Sequence, residues 1–221
     1  MRGRGAAGGR PWGTVVGMAI HVFDARSDLS NLVVEPQIRS RFRRVELGPV
    51  PEVHSHDLGG ETFVVMHGQI EFTVADEHVV CQPGQVIYVP PRTTHAVRAV
   101  GDEPGEIYLS VSPHVEPTHT FYSADGQRQP PRYGVWRAAG GGSAAFDAVP
   151  TAELLERYQA AARTLAELAQ ANAATQVELD DTEAATRKPS IDALWSQLRP
   201  LLQQVEDLER TWNALALRAA Q

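Results

Sequence analysis

From about residue 30 to residue 122 the chain alternates short apolar, β-branched runs with turn residues: NLVVEP, RFRRVELG, TFVVMHGQIEFTVA, HVVCQPGQVIYVP, HAVRAV and EIYLSVS. Their length, period-two alternation and Gly/Pro/Asp punctuation predict the strands of an antiparallel sandwich or barrel. In ETFVVMHGQIEFTVAD, Glu61, Phe63 and Val65 share one face, as do Ile70, Phe72 and Val74. The spacing predicts a hairpin with a buried side, turning at His67-Gly68. Residues 123–149, with Gly126, Pro130, Pro131 and a glycine run at 140–142, read as an irregular linker.

After Thr151 the period changes. Leu154, Tyr158, Ala161, Leu165 and Leu168 step by four and three, which predicts a helix. A turn-like DDTEAATRKPS follows. Ile191, Leu194, Leu198, Leu201, Val205, Leu208, Trp212 and Leu215 then alternate three and four without a break. That is a heptad seam. Thr151 and Ser190 are the expected N-caps, and Pro200 is expected to bend the second helix. Two helices bury such a seam on one side only, so residues 150–221 are expected to form a hairpin that needs a partner surface. Pairing with a second copy, giving a homodimer, is favoured over docking on the β unit.

Composition narrows the functional classes. The formal net charge is −7, and the helical segment alone carries eleven acidic against seven basic residues. Nucleic-acid binding needs a basic face and is not expected. No run approaches the roughly 20 apolar residues of a membrane span. Cys81 is the single cysteine, which precludes an internal disulfide and fits the cytoplasm. Lys188 is the only lysine and lies between the predicted helices, so Schiff-base chemistry is not expected. Residues 1–17 read as a disordered Gly/Arg leader rather than a signal peptide, with Met18 a candidate start and the β unit running over 18–122.

The chemistry concentrates in HSHDLGGETFVVMHG, residues 54–68. On a strand, positions i and i+2 face the same way, so His54 and His56 project together. A turn, Asp57-Leu58-Gly59-Gly60, then leads to Glu61, whose strand is expected to lie beside theirs. Two imidazoles and a carboxylate suit a divalent first-row metal. A further ligand is sought on another strand, where His95 follows a proline-rich turn. His21, His67, His78, His114 and His119 have no such spacing and are read as satisfied core or surface histidines rather than ligands. Tyr88 and Tyr108 are read first as wall aromatics, and Cys81 as inert.

The spacing extends further. Gly48, His54, His56, Glu61 and Gly68 lie at the intervals of one motif, and Gly84, Pro90 and His95 at those of a second, about 15 residues on. In register, these positions resemble the two motifs of the cupin superfamily over roughly residues 35–115. Arg92 stands where the second motif usually has glycine, and Ala99 where it often has asparagine. The resemblance implies a mainly β protein: a cupin-type antiparallel β-barrel, or jelly roll, followed here by the α-helical hairpin. It also implies that His54, His56, Glu61 and His95 ligate a divalent transition metal ion, Fe(II) favoured and Zn, Mn, Ni or Cu as alternatives. A small-molecule substrate and dioxygenase-type oxidoreductase chemistry follow. A non-redox isomerase or lyase, and a non-catalytic ligand-binding or regulatory cupin, stay open, because folds of this kind host many reactions.

Overall fold

The computed structural model describes residues 20–140, 148–176 and 184–220. The expected leader, the glycines at 141 and 142 and most of the loop between the helices lie outside these residues. Ten strands are present: β1 (Asn31–Glu35), β2 (Ile38–Val45), β3 (His54–Ser55), β4 (Gly60–His67), β5 (Gln69–Val74), β6 (Glu77–Cys81), β7 (Val86–Val89), β8 (His95–Val100), β9 (Gly105–Ser112) and β10 (Thr120–Phe121). They form two five-stranded antiparallel sheets, in the orders β1-β2-β9-β4-β7 and β10-β3-β8-β5-β6. The sheets face one another as a jelly roll, and their ladders do not run on into a closed barrel.

The alternation predicted for β4 and β5 is present. Glu61, Phe63 and Val65 are buried, as are Ile70 and Phe72. The predicted hairpin is not: β4 belongs to one sheet and β5 to the other. Gly68 therefore carries the chain across the sandwich. Its φ of 71° is left-handed, and a Cβ there would stand 2.8 Å from the Gly105 Cα, so only glycine makes this crossing without strain. Phe63 and Phe72, from opposite sheets, meet with ring centroids 5.1 Å apart at the centre of the core. Burying each ring contributes about 1.5–3 kcal/mol.

Helix α1 (Thr151–Ala174) packs against α2 (Ala184–Ala216). Tyr158 meets Trp212, and Gln204 donates to the Ala161 carbonyl, so the two run antiparallel as the expected hairpin. The expected caps differ. Thr151 is the first helical residue and its N-cap is Pro150, without a side-chain hydrogen bond. Ser190 lies inside α2, which continues through Pro189 and Pro200. Each proline loses one backbone hydrogen bond, a local cost that the packing of the whole helix outweighs.

The hairpin is tied to the β unit at one end. Trp212 Nε1 donates to the Glu116 carbonyl at 2.6 Å. Asn213 Nδ2 donates to the His114 carbonyl at 2.7 Å, and its Oδ1 accepts the Glu116 N–H at 2.8 Å. Arg210 pairs with Glu35 on β1. Within the seam Ile191 and Leu198 stay exposed, beside Trp195 and Leu202, while the other positions are at least partly covered. The stretch expected as an irregular linker is docked as well. Val135–Ala139 form a 3-10 turn, and Trp136 is buried with its indole N–H on the Glu116 carboxylate.

Candidate metal centre

His54 lies on β3 and pairs directly with His95 on β8, so their rings come within 4.4 Å, centroid to centroid. His56 follows β3 and turns inward. Its carbonyl accepts the Arg92 N–H at 2.7 Å, which ties the turn before His95 to the His54–His56 segment. Arg92 has φ 65°, the left-handed conformation that explains why glycine is usual at this position of the motif. Glu61 opens β4, in the opposite sheet rather than on the expected neighbouring strand. The four side chains thus converge from two sheets across the interior, and their nearest donor atoms all lie within 4.8 Å of one another.

The hydrogen bonds fix how the rings face. Nδ1 of His56 donates to the Thr118 carbonyl at 2.5 Å, Nδ1 of His95 to the Thr93 carbonyl at 3.1 Å, and Nδ1 of His54 to the Glu52 carbonyl at 3.4 Å. A carbonyl only accepts, so each Nδ1 carries the proton, and a neutral ring turns a lone pair from Nε2 toward the centre. Nε2 of His56 and of His95 each stand 2.8 Å from the same Glu61 Oε2. Lone pairs this close to a carboxylate oxygen need positive charge between them, from protons or from a metal ion. Two ligands on opposite sides of an ion at about 2.1 Å stand about 4.2 Å apart, so the group closes on an ion with shifts of a few tenths of an ångström. The donor set fits the implied metal, and the Nδ1 bonds are the outer contacts that usually orient ligating histidines.

Burial, with His95 beside it, holds His54 down to about 3. Burial pushes Glu61 up, but the charge and hydrogen bonds of His56 and His95 outweigh it and keep the carboxyl well below its ordinary range. His54 and Glu61 line a cavity of about 250 Å³, walled by Phe63, Val97, Leu109 and Phe121.

Two features of this cavity were not legible as site residues. His119 lines it, its ring 4.8 Å from that of His56 and 5.0 Å from that of His54, and its buried Nδ1 has no hydrogen-bond partner. Burial, reinforced by His56 and His54, holds its pKa well below the ordinary value. The available signal was period two: His119 and Phe121 share a face, and Phe121 pairs with His54. The second feature is Arg39, Arg41 and Arg43 of β2, which also line the cavity. Burial lowers all three, and Arg43 and Arg39 help to bring Arg41 to about 10. Tyr88 and Tyr108 face outward: Tyr88 is 59% exposed and Tyr108 packs on Phe42. Cys81 is in the core, where burial raises its thiol pKa. His114 is buried, hydrogen-bonded to Thr118 and packed on Trp136, a satisfied core histidine.

A two-sheet jelly roll with imidazoles and a carboxylate meeting between its sheets is the arrangement that the sequence motifs imply. Residues 42–112 match the family model of the cupin domain, so that segment of the chain is a cupin domain. Among solved structures, a cupin protein from Bacteroides fragilis is 20% identical over 35% of this chain and 66% of that one, just under two thirds of its length, with a TM-score of 0.33. A conserved protein with a double-stranded β-helix domain from Klebsiella pneumoniae is 16% identical over 48% of this chain and 99% of that one, with a TM-score of 0.42. A cupin 2 domain-containing protein from Halorhodospira halophila is 22% identical over 41% of this chain and 61% of that one, with a TM-score of 0.37. No curated protein matches the sequence. No helix among the described residues is long and apolar enough to cross a membrane.

Proposed function

We propose that His54, His56, Glu61 and His95 hold a divalent transition-metal ion, Fe(II) by preference, and that the protein carries out dioxygenase-type oxidation of a small molecule in the adjoining cavity. The observation that carries this reading is the convergence of the four donor atoms within 4.8 Å, with His54 and Glu61 on the cavity wall. Bound there, the ion supplies oxygen activation if it is redox-active, or polarises a substrate oxygen as a Lewis acid if it is not. Three neutral imidazoles and one carboxylate leave a divalent ion a net charge of +1. Held by these four residues, an ion would keep room for a substrate oxygen from the cavity.

The chain's own residues do the rest. The Nδ1 bonds to Thr118, Thr93 and Glu52 fix the orientation of the three rings before an ion binds. Phe63, Leu109 and Phe121 keep water from the site. His119 stands neutral at the cavity wall, where its unpartnered Nδ1 can hold a substrate hydroxyl or accept its proton. With its only thiol buried and unpaired, the chain suits a reducing compartment, and a cytoplasmic location is part of the proposal.

Elemental analysis of protein from metal-replete medium, followed by oxygen uptake with phenolic and diketone compounds, tests this. About one iron per chain with substrate-dependent oxygen uptake supports it. Zinc without uptake replaces it with a non-redox isomerase or lyase, or a ligand-binding cupin. Absence of bound metal overturns it.

We also propose that the exposed end of α2 pairs two copies of the chain. Ile191, Trp195, Leu198 and Leu202 repeat at four, three and four residues, which is itself a helix-pairing seam left uncovered by the β unit. Sedimentation should show a dimer that becomes monomeric in Trp195→Glu/Leu198→Glu. A monomeric parent chain would rule the pairing out.

A further inference from the structure

Strand β2 presents Arg39, Arg41 and Arg43 on one face. Their cross-strand partners on β9 are Val111, Leu109 and Ile107, all of them buried core residues. The arginine face is therefore the inner face of the sheet, an unusual place for three cations. Arg39 is only 2% exposed. The Nε atoms of Arg39 and Arg41 are buried and have no hydrogen-bond partner. Two carboxylates act on Arg39 through their charge, Glu61 and Glu116. Both are engaged elsewhere, Glu61 with His56 and His95, and Glu116 with Trp136 and the Gly134 N–H. Buried guanidinium groups whose nearby carboxylates are bonded to other partners are costly, and an anion in the cavity reduces that cost.

We propose that Arg39, Arg41 and Arg43 recognise the carboxylate of a metabolite-sized organic acid, which enters the cavity with its acid group on the arginines and its remaining oxygens toward the histidine–glutamate cluster. The guanidinium fork, Nε–H beside Nη–H, matches the two oxygens of a carboxylate. Phe63 and Leu109 of the same sheet, with Val97 of the facing one, add apolar surface that suits a short hydrocarbon chain. Arg39 and Glu61 lie in one row of the sheet, each opposite Val111. Two strand spacings separate them, roughly 10 Å between backbones, a span that a short hydroxy or oxo acid bridges once the arginine side chain reaches in. The cavity of about 250 Å³ falls below the ~300–1,000 Å³ of drug-sized ligands. This deepens the proposed function, resting on it for the position of the ligand's far end but not for the acid contact itself.

The test is calorimetric titration and thermal shift of the full chain, both chelator-treated and metal-reloaded. The probes are malate, 2-oxoglutarate and galacturonate, with dimethyl 2-oxoglutarate, galactose and inorganic phosphate as comparisons. At least one acid is expected to bind and raise Tm, while its neutral counterpart does not. Arg41→Gln should weaken that binding about tenfold or more, the loss of one charge-assisted fork, with metal content per chain unchanged. Arg41 and Arg43 are only partly buried, so Arg41→Gln and Arg43→Gln keep the test open even if Arg39→Gln fails to fold. Acid binding that resists Arg41→Gln, equal binding of neutral compounds, tighter binding of phosphate, or no binding of any acid would each overturn the proposal. Acid binding in a chain that holds no metal would support it and sink the metal reading alone.

Discussion

Replacing His95 or His56 by alanine is expected to lower bound metal to a small fraction of one per chain, measured by elemental analysis after gel filtration. Each supplies Nε2 at 2.8 Å from Glu61 Oε2, and each is held in its tautomer by a backbone carbonyl. Loss of one of three imidazoles removes a neutral ligand and leaves the Glu61 carboxylate with one buried partner in place of two. His67 and His78 are the proper comparisons, because both are exposed and distant from the cluster. His114, although also off the motif spacing, is unsuitable as a comparison, since it is buried against Trp136. Equal metal loss in His67→Ala would show that the four-residue cluster is not the binding site.

The second large effect is expected at Glu116. Its carboxylate accepts from the Trp136 indole, the Gly134 N–H and the Thr118 hydroxyl, and its main chain bonds to Asn213 and Trp212. Glu116→Ala leaves at least two of those donors buried without acceptors, at about 1–3 kcal/mol each. A loss of roughly 3 kcal/mol or more is expected in urea-monitored unfolding, together with a less protected Trp136. A change under 1 kcal/mol would mean that water replaces the carboxylate there and that the knot is not a major source of stability.

Local periodicity made the strands, the inward faces of β4 and β5, and the two helices legible, because each depends on neighbours a few residues away. Which strand pairs with which did not follow. A left-handed glycine closes a hairpin and carries a chain between sheets equally well, so Gly68 could not reveal that β4 and β5 part company. Convergence of His54, His56, Glu61 and His95 came from motif spacing, yet their origin in opposite sheets is a tertiary fact. Nothing in RSRFRRV marks its arginines as inward, since arginine on a strand usually points to water. Only the register of β2 on β9 turns those residues inward. His119 was hidden for a related reason: it precedes β10, a strand of two residues with little pattern to read. Which seam positions stay exposed depends on where the β unit ends, which no heptad announces.

The partners of the His114–Glu116 loop are Trp212 and Asn213, nearly a hundred residues further along the chain. That loop leads through Thr118, which orients His56, to His119 at the cavity wall. A contact of such long sequence separation is among the last that a folding chain closes, because most of the loop entropy must be lost first. The wall of the cavity is held in place from the far end of the polypeptide, where Trp212 and Asn213 anchor the loop that carries Thr118 and His119.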